Sequence, residues 1–239
     1  MVTLMTRIVF SVCVLLFLSA CQERVGLAPV SEARIEREST PVMYRVKRYD
    51  TLYSIAFRYD QDYRSIAQMN GFSPPYALRV GQVIYLKTPF IPQRKPQYKP
   101  PVNYPLKAYH PPVYAQKISR LRWPSQQKRI WIYFSPEKGR KGIDILGRPG
   151  DVIYASGGGV VAYAGDGLNG YGNLIIIKHD DKLLTAYAHN ARLFVKEGQK
   201  IYPGQKIATM GQLDRAHWGL HYEVREWGKP VNPLRYLSR

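Results

Sequence analysis

Histidine and carboxylate side chains can hold a metal ion or move a proton near neutral pH, and this chain has five histidines: His110, His179, His189, His217 and His221. Three short segments gather such groups within strand-like sequence: Gly142-Ile143-Asp144, Tyr187-Ala188-His189 and Leu220-His221-Tyr222-Glu223. A hydrolytic zinc needs three protein ligands and an open water position. His217 has the same strand parity as His221, four residues later. At ~3.4 Å per residue the two sit about 13 Å apart, too far to share one ion without a bulge. His179 ends a strand-like run, and His110 falls in proline-rich sequence.

The elements that must position these groups are strands. From Trp123 onward, short apolar runs (152–155, 160–163, 174–177 and 184–187) alternate with turns such as Gly157-Gly158-Gly159, Asp166-Gly167 and Asn169-Gly170. No helix-length apolar period interrupts them, which predicts an antiparallel sheet or small barrel-like sandwich over 123–239. Upstream the period changes. A strand at 44–46 leads to Asp50-Thr51, either of which can cap a helix, and Leu52, Ile55, Ala56 and Tyr59 then recur on one helical face. Asp62 can cap a second helix, which buries Ile66 and Ala67 and stops at Asn70-Gly71. Residues 80–86 return as a strand. The expected class is α+β, mostly β: a small βααβ module at 43–87 plus an antiparallel β domain at 123–239.

Between them, residues 88–122 hold eight prolines, four tyrosines, seven Lys/Arg and no acid. Such a segment favours extended polyproline II at ~3.1 Å per residue, a stiff solvated linker with a reach on the order of 100 Å. Residues 22–42 are polar with no apolar period and read as a flexible tether. At the start, Arg7 precedes the eleven-residue apolar run 8–18, too short for a membrane span of roughly 20 residues. Leu18-Ser19-Ala20-Cys21 follows, which resembles the bacterial lipobox. That resemblance implies a signal peptide over 1–21, lipid on Cys21 and a membrane anchor. Gln22 after the cysteine implies an outer-membrane lipoprotein facing the periplasm. Export removes nucleic acid as a natural partner, so the net charge of +18 reads as attraction to the anionic envelope.

Two further resemblances carry functional content. Asp50-Thr51-Leu52, Ile55-Ala56, Asn70-Gly71 and Gly81-Gln82 resemble the LysM fold over 43–87, with Tyr49 where that family usually has glycine. The resemblance implies binding of peptidoglycan glycan by Asp50, Thr51, Leu52, Asn70, Gly71, Pro75 and Tyr76. Asp50 and Asn70 are also placed to cap helices. The three segments of the first paragraph, with Tyr171-Gly172-Asn173, Pro203-Gly204-Gln205 and Asn232-Pro233, resemble the M23 (LytM-type) zinc peptidases over 123–239.

Mapped onto that family, Asp144 and His221 stand at ligand positions and His189 at a catalytic histidine, while His179 matches a common histidine without a metal role. Arg140 replaces the first ligand and Gly219 the other catalytic histidine. Arginine offers no lone pair, and two ligands do not build a stable tetrahedral zinc. The resemblance therefore implies a degenerate domain: not an enzyme, and without a metal or other cofactor. One expectation is that Arg140 pairs with Asp144 and supplies the lost positive charge; the alternative leaves its guanidinium in solvent.

The combination of lipobox, LysM, linker and degenerate LytM domain resembles the NlpD-type activators of cell-wall amidases. It implies a non-catalytic lipoprotein that relieves the self-inhibition of periplasmic N-acetylmuramoyl-L-alanine amidases during septal splitting. The expected partner groove comprises Arg140, Tyr171, Asn173, His189, Trp218 and His221. The competing readings are a zinc endopeptidase cutting peptidoglycan cross-links and a passive anchor between outer membrane and wall.

Overall fold

The computed structural model describes residues 39–88 and 120–238. Cys21, the signal peptide, most of the tether and all but the ends of the linker lie outside the described residues.

The first module has the expected order, β1 (Met43–Arg45), α1 (Leu52–Arg58), α2 (Tyr63–Asn70) and β2 (Val83–Tyr85), with β1 and β2 antiparallel. Thr51 is the cap of α1: its hydroxyl accepts from the Ser54 amide, and the Ser54 hydroxyl accepts from the Thr51 amide, each at 3.0 Å. This reciprocal pair satisfies two otherwise orphaned donors. Asp62 caps α2, and Gly71 ends it in the left-handed region. Tyr49 also takes a left-handed conformation, with φ of 67°. That conformation explains the glycine usual at this position, because a Cβ is disfavoured there.

The second domain is a ten-stranded antiparallel sheet: β3 (Ile130–Ile132), β4 (Ile143–Leu146), β5 (Val152–Tyr154), β6 (Gly159–Gly165), β7 (Asn173–Lys178), β8 (Leu183–Leu193), β9 (Lys200–Ile201), β10 (Lys206–Gln212), β11 (Trp218–Glu226) and β12 (Lys229–Val231). Its main path runs β3-β4-β11-β10-β8-β7-β6-β9, with β12 on β11 and β5 on β10. It begins before the expected boundary: Leu121 is fully buried and bridges Leu237.

The unbroken apolar run in β7 reflects a sheet covered on both faces. Ile175 and Ile177 enter the main core with Ile143, Ile145, Tyr187 and Tyr222. Leu174 and Ile176 point the other way, into a second cluster with Ala162, Leu184 and Ala186. That outer cluster is closed by Phe57 of α1. Phe57 lies off the stripe that α1 turns to its own module and is 1% exposed. The two modules are therefore packed together, whatever path residues 89–119 take.

Buried His179 sets a pH dependence. Its Nδ1 meets the Gly158 carbonyl at 2.7 Å and so carries the proton, while Nε2 meets the Thr185 hydroxyl at 2.8 Å. Burial pushes its pKa down to about 4. The unfolded chain then binds a proton that the folded chain refuses, so stability is full above about pH 6.5 and falls between 6.5 and 4. The loss reaches about 3 kcal/mol. Urea midpoints measured from pH 7 to 4.5 should decline, and His179→Gln should make that slope shallower, leaving the share of His189, whose pKa is also pushed down to about 4; an unchanged slope in the variant would assign the effect elsewhere.

Candidate functional site

The site is assembled where β4, β11 and β8 lie side by side. His221 is directly opposite Asp144 on β4 and Ala188 on β8. The next residue, His189, drops out of the pairing register and takes φ of 59°. It is thus a bulge residue whose side chain is re-aimed, a device common beside functional sites. The two imidazoles stand 6.2 Å apart, edge to face. Asn190 and Asn173 lock the bulge by donating to each other's carbonyls, at 2.7 and 3.0 Å.

Both nitrogens of His221 are engaged. Nδ1 reaches Asp144 Oδ1 at 2.6 Å, and Nε2 reaches Glu223 Oε1 at 3.1 Å. Burial alone would lower the pKa of this ring, but the hydrogen bonds and charges of the two carboxylates outweigh it and lift the value to about 10. His221 is therefore an imidazolium donating on both sides. His189 goes the other way, to about 4, because it is buried and faces the His221 cation. It is the neutral imidazole of the pair.

Behind His221 the charges alternate. Burial would raise Glu223, but the adjacent Arg225 and His221 hold it down at about 2. Arg225 is 0% exposed and reaches Glu223 Oε2 at 2.7 Å. It also donates to the Phe57 carbonyl at 2.9 Å and to Asp60 Oδ1 at 2.7 Å, with its guanidinium 3.6 Å from the Phe57 ring centroid. Lys141 completes the series on Asp60 at 2.9 Å. Asp144, His221, Glu223, Arg225, Asp60 and Lys141 form one alternating network that crosses to the first module at Asp60 and returns to the second domain at Lys141. Sequence reading missed Phe57, Asp60, Lys141 and Arg225. The available signal was parity, since His221, Glu223 and Arg225 occupy one face of a buried strand at i, i+2 and i+4.

Several expected positions move. Arg140 is exposed and does not pair with Asp144: it sits on a turn closed by reciprocal backbone bonds with Ser135, both 3.0 Å, while His221 is already opposite the carboxylate. The compensating cation is the protonated His221. Trp218 is half-buried on the face of Leu220 and Tyr222, opposite His221, as strand alternation requires. Tyr171 is buried behind the site, its hydroxyl donating to Glu223 at 3.0 Å. Gly219 leaves no room for a side chain, because a Cβ there would collide with the Ile145 carbonyl and lie 2.7 Å from Leu213 Cδ1. On β3, beside β4, the half-exposed Trp131 stacks on His217 at 4.0 Å, with His217 bonded to Asp214.

A hydrolytic zinc does not fit this donor set. The two ligand-type residues are spent on each other, and the third position holds an outward-facing arginine. Among the described residues no group of three or more His, Cys, Asp or Glu is placed to hold a metal ion.

In the first module, Asp50, Thr51, Leu52, Pro75 and Tyr76 line one cavity, and Asn70 and Gly71 do not. Asn70 is spent on the Ile66 and Tyr85 carbonyls and the Tyr85 amide, tying α2 to β2. Asp50 accepts from the Tyr44 hydroxyl and the Lys47 amide.

Comparison with known proteins places these features in context. The model for the LysM domain matches residues 44–87, and that for Peptidase family M23 matches 138–233. The chain is 38% identical over 252 residues to the Lipoprotein NlpD/LppB homolog of Pseudomonas aeruginosa, across 91% of this chain and 83% of that one. It is 42% identical over 205 residues to the Uncharacterized lipoprotein YgeR of Escherichia coli, across 82% and 80%. It is 37% identical over 256 residues to the Murein hydrolase activator NlpD of Escherichia coli, across 82% and 68%.

Proposed function

The chain belongs to the NlpD family of LysM- and M23-containing lipoproteins, and from that premise we propose that it is a non-catalytic activator of cell-wall hydrolysis. Its hydrolase partner is a periplasmic N-acetylmuramoyl-L-alanine amidase. The LysM module holds peptidoglycan glycan, lipid on Cys21 anchors the chain, and the protein faces the periplasm from the outer membrane.

The observation that carries the reading is the double engagement of His221 by Asp144 and Glu223. An imidazolium bound on both sides offers neither a lone pair to a metal nor a base to water. No cofactor takes part. What the site does offer is neutral His189 at its bulge, with exposed Arg140 and the Trp131–His217 stack on the elements that flank β4. An activator must bind its partner's open state more tightly than its closed state, and a partly exposed tryptophan suits that anchoring role.

The test incubates purified full-length protein with dye-labelled sacculi, with and without a purified amidase. Dye release should rise several-fold only when both are present, and Trp131→Ala should weaken the stimulation. Release of cross-linking peptides by the protein alone would establish an endopeptidase. Wall binding without stimulation would leave a passive anchor.

A further inference from the structure

A cavity of about 820 Å³ lies between the two modules, and only one of its walls belongs to LysM. The LysM wall is largely aromatic, with Asp50 and Arg64 also lining it: Tyr53, Tyr63 and Tyr76 pack in tilted and edge-to-face contact at 4.6 to 6.1 Å, beside Leu52 and Pro75. The opposite wall is the outer surface of β6, Val160 to Ala162, and the rim carries Lys178, Asp181 and Glu197 of the M23-like domain. Lys178 lies 3.1 Å from Asp181 and 6.0 Å from the Tyr63 ring centroid. Thr51, the cap of α1, bridges the walls by donating to the Ala162 carbonyl at 3.2 Å. An apolar floor with a few charged groups at its edge is suited to a saccharide, whose ring CH faces pack on aromatics while its hydroxyls and acetamides meet carboxylate and ammonium.

We propose that the M23-like domain forms the second wall of the glycan site, so that an N-acetylated sugar strand is clamped between Tyr76 and Tyr53 on one side and β6 with Lys178 and Glu197 on the other. This rests on the reading that the LysM groove takes glycan, and adds that the M23-like domain contributes directly to affinity. A ligand touching both walls binds the docked arrangement better than the separated modules and favours it by linkage. The wall strand would thereby reinforce the contact that places Phe57 and Asp60 against Arg225.

The test is calorimetric binding of a soluble N-acetylglucosamine hexamer to the full-length protein. Lys178→Met with Glu197→Gln should weaken binding about tenfold, the loss expected for one or two polar contacts. Val160→Arg, which puts a long side chain into the cavity from the M23-like wall, should weaken it at least as much. Tyr76→Ala reports on the LysM wall. If Tyr76→Ala weakens binding while the three changes on the other wall leave it intact, the LysM wall acts alone and the clamp is overturned, with glycan binding retained. If the unaltered protein fails to bind the hexamer, glycan binding itself falls. Melting temperatures close to that of the unaltered protein exclude unfolding as the cause of any loss.

Discussion

Replacing Arg225 by alanine is expected to destabilise the protein by about 3 to 5 kcal/mol, the cost of breaking a buried ion pair from one side. The guanidinium is fully buried, and its removal strips the charge partner from Glu223, itself 0% exposed. Glu223 then keeps only His221 and the Tyr171 hydroxyl. Asp60 loses its 2.7 Å contact and retains Lys141. The Phe57 carbonyl and ring also lose the cation that holds α1 on the sheet. Urea unfolding should show the full loss, and hydrogen exchange should quicken in α1 as well as in β11. The double change Arg225→Ala with Glu223→Ala should cost less than the sum of the single changes, because removing both partners leaves no orphaned charge. Additive single changes would mean that the two residues do not act as a pair.

Placing a histidine at position 219 is expected to destabilise the domain by about 3 kcal/mol, the upper range for overpacking a core. The obstacle is the Cβ itself, which meets the Ile145 carbonyl across the β4–β11 ladder. Gly219→Ala should therefore cost nearly as much as Gly219→His, and denaturant midpoints of the two variants check it. If alanine were neutral and only histidine costly, the conflict would lie in the imidazole and the strand spacing argument would fail. Position 219 is thus closed to a side chain by the backbone of β4.

The modules themselves were legible in the residues. Periodicity marked α1 and α2, Thr51 and Asp62 marked their starts, and Gly71 marked an end. Apolar runs between glycine turns marked β5 to β8. Arg140 and Gly219 were legible as departures from the pattern that the M23 resemblance implies. Partner choice was not. Asp144 lies 77 residues before His221, and nothing local distinguishes a bond to His221 from a bond to Arg140 four residues away. Only strand register decides it, by placing His221 opposite the carboxylate and Arg140 on a solvent-side turn. Trp218 was misplaced for a related reason: its neighbour Gly219 faces the site side of β11, so strand alternation sends the indole to the other face.

Sequence alone determined that this is a LysM-type module joined to an M23-type domain, because those properties reside in local periods, caps and residue identities. Tertiary structure decided that the two modules share a buried face, that Phe57 and Asp60 meet Arg225, and that the site's positive charge is a histidine. Those contacts span 77 to 168 residues of chain. They arise because a sheet apolar on both sides must find a second cover, and because each charge buried by that cover must find an opposite one.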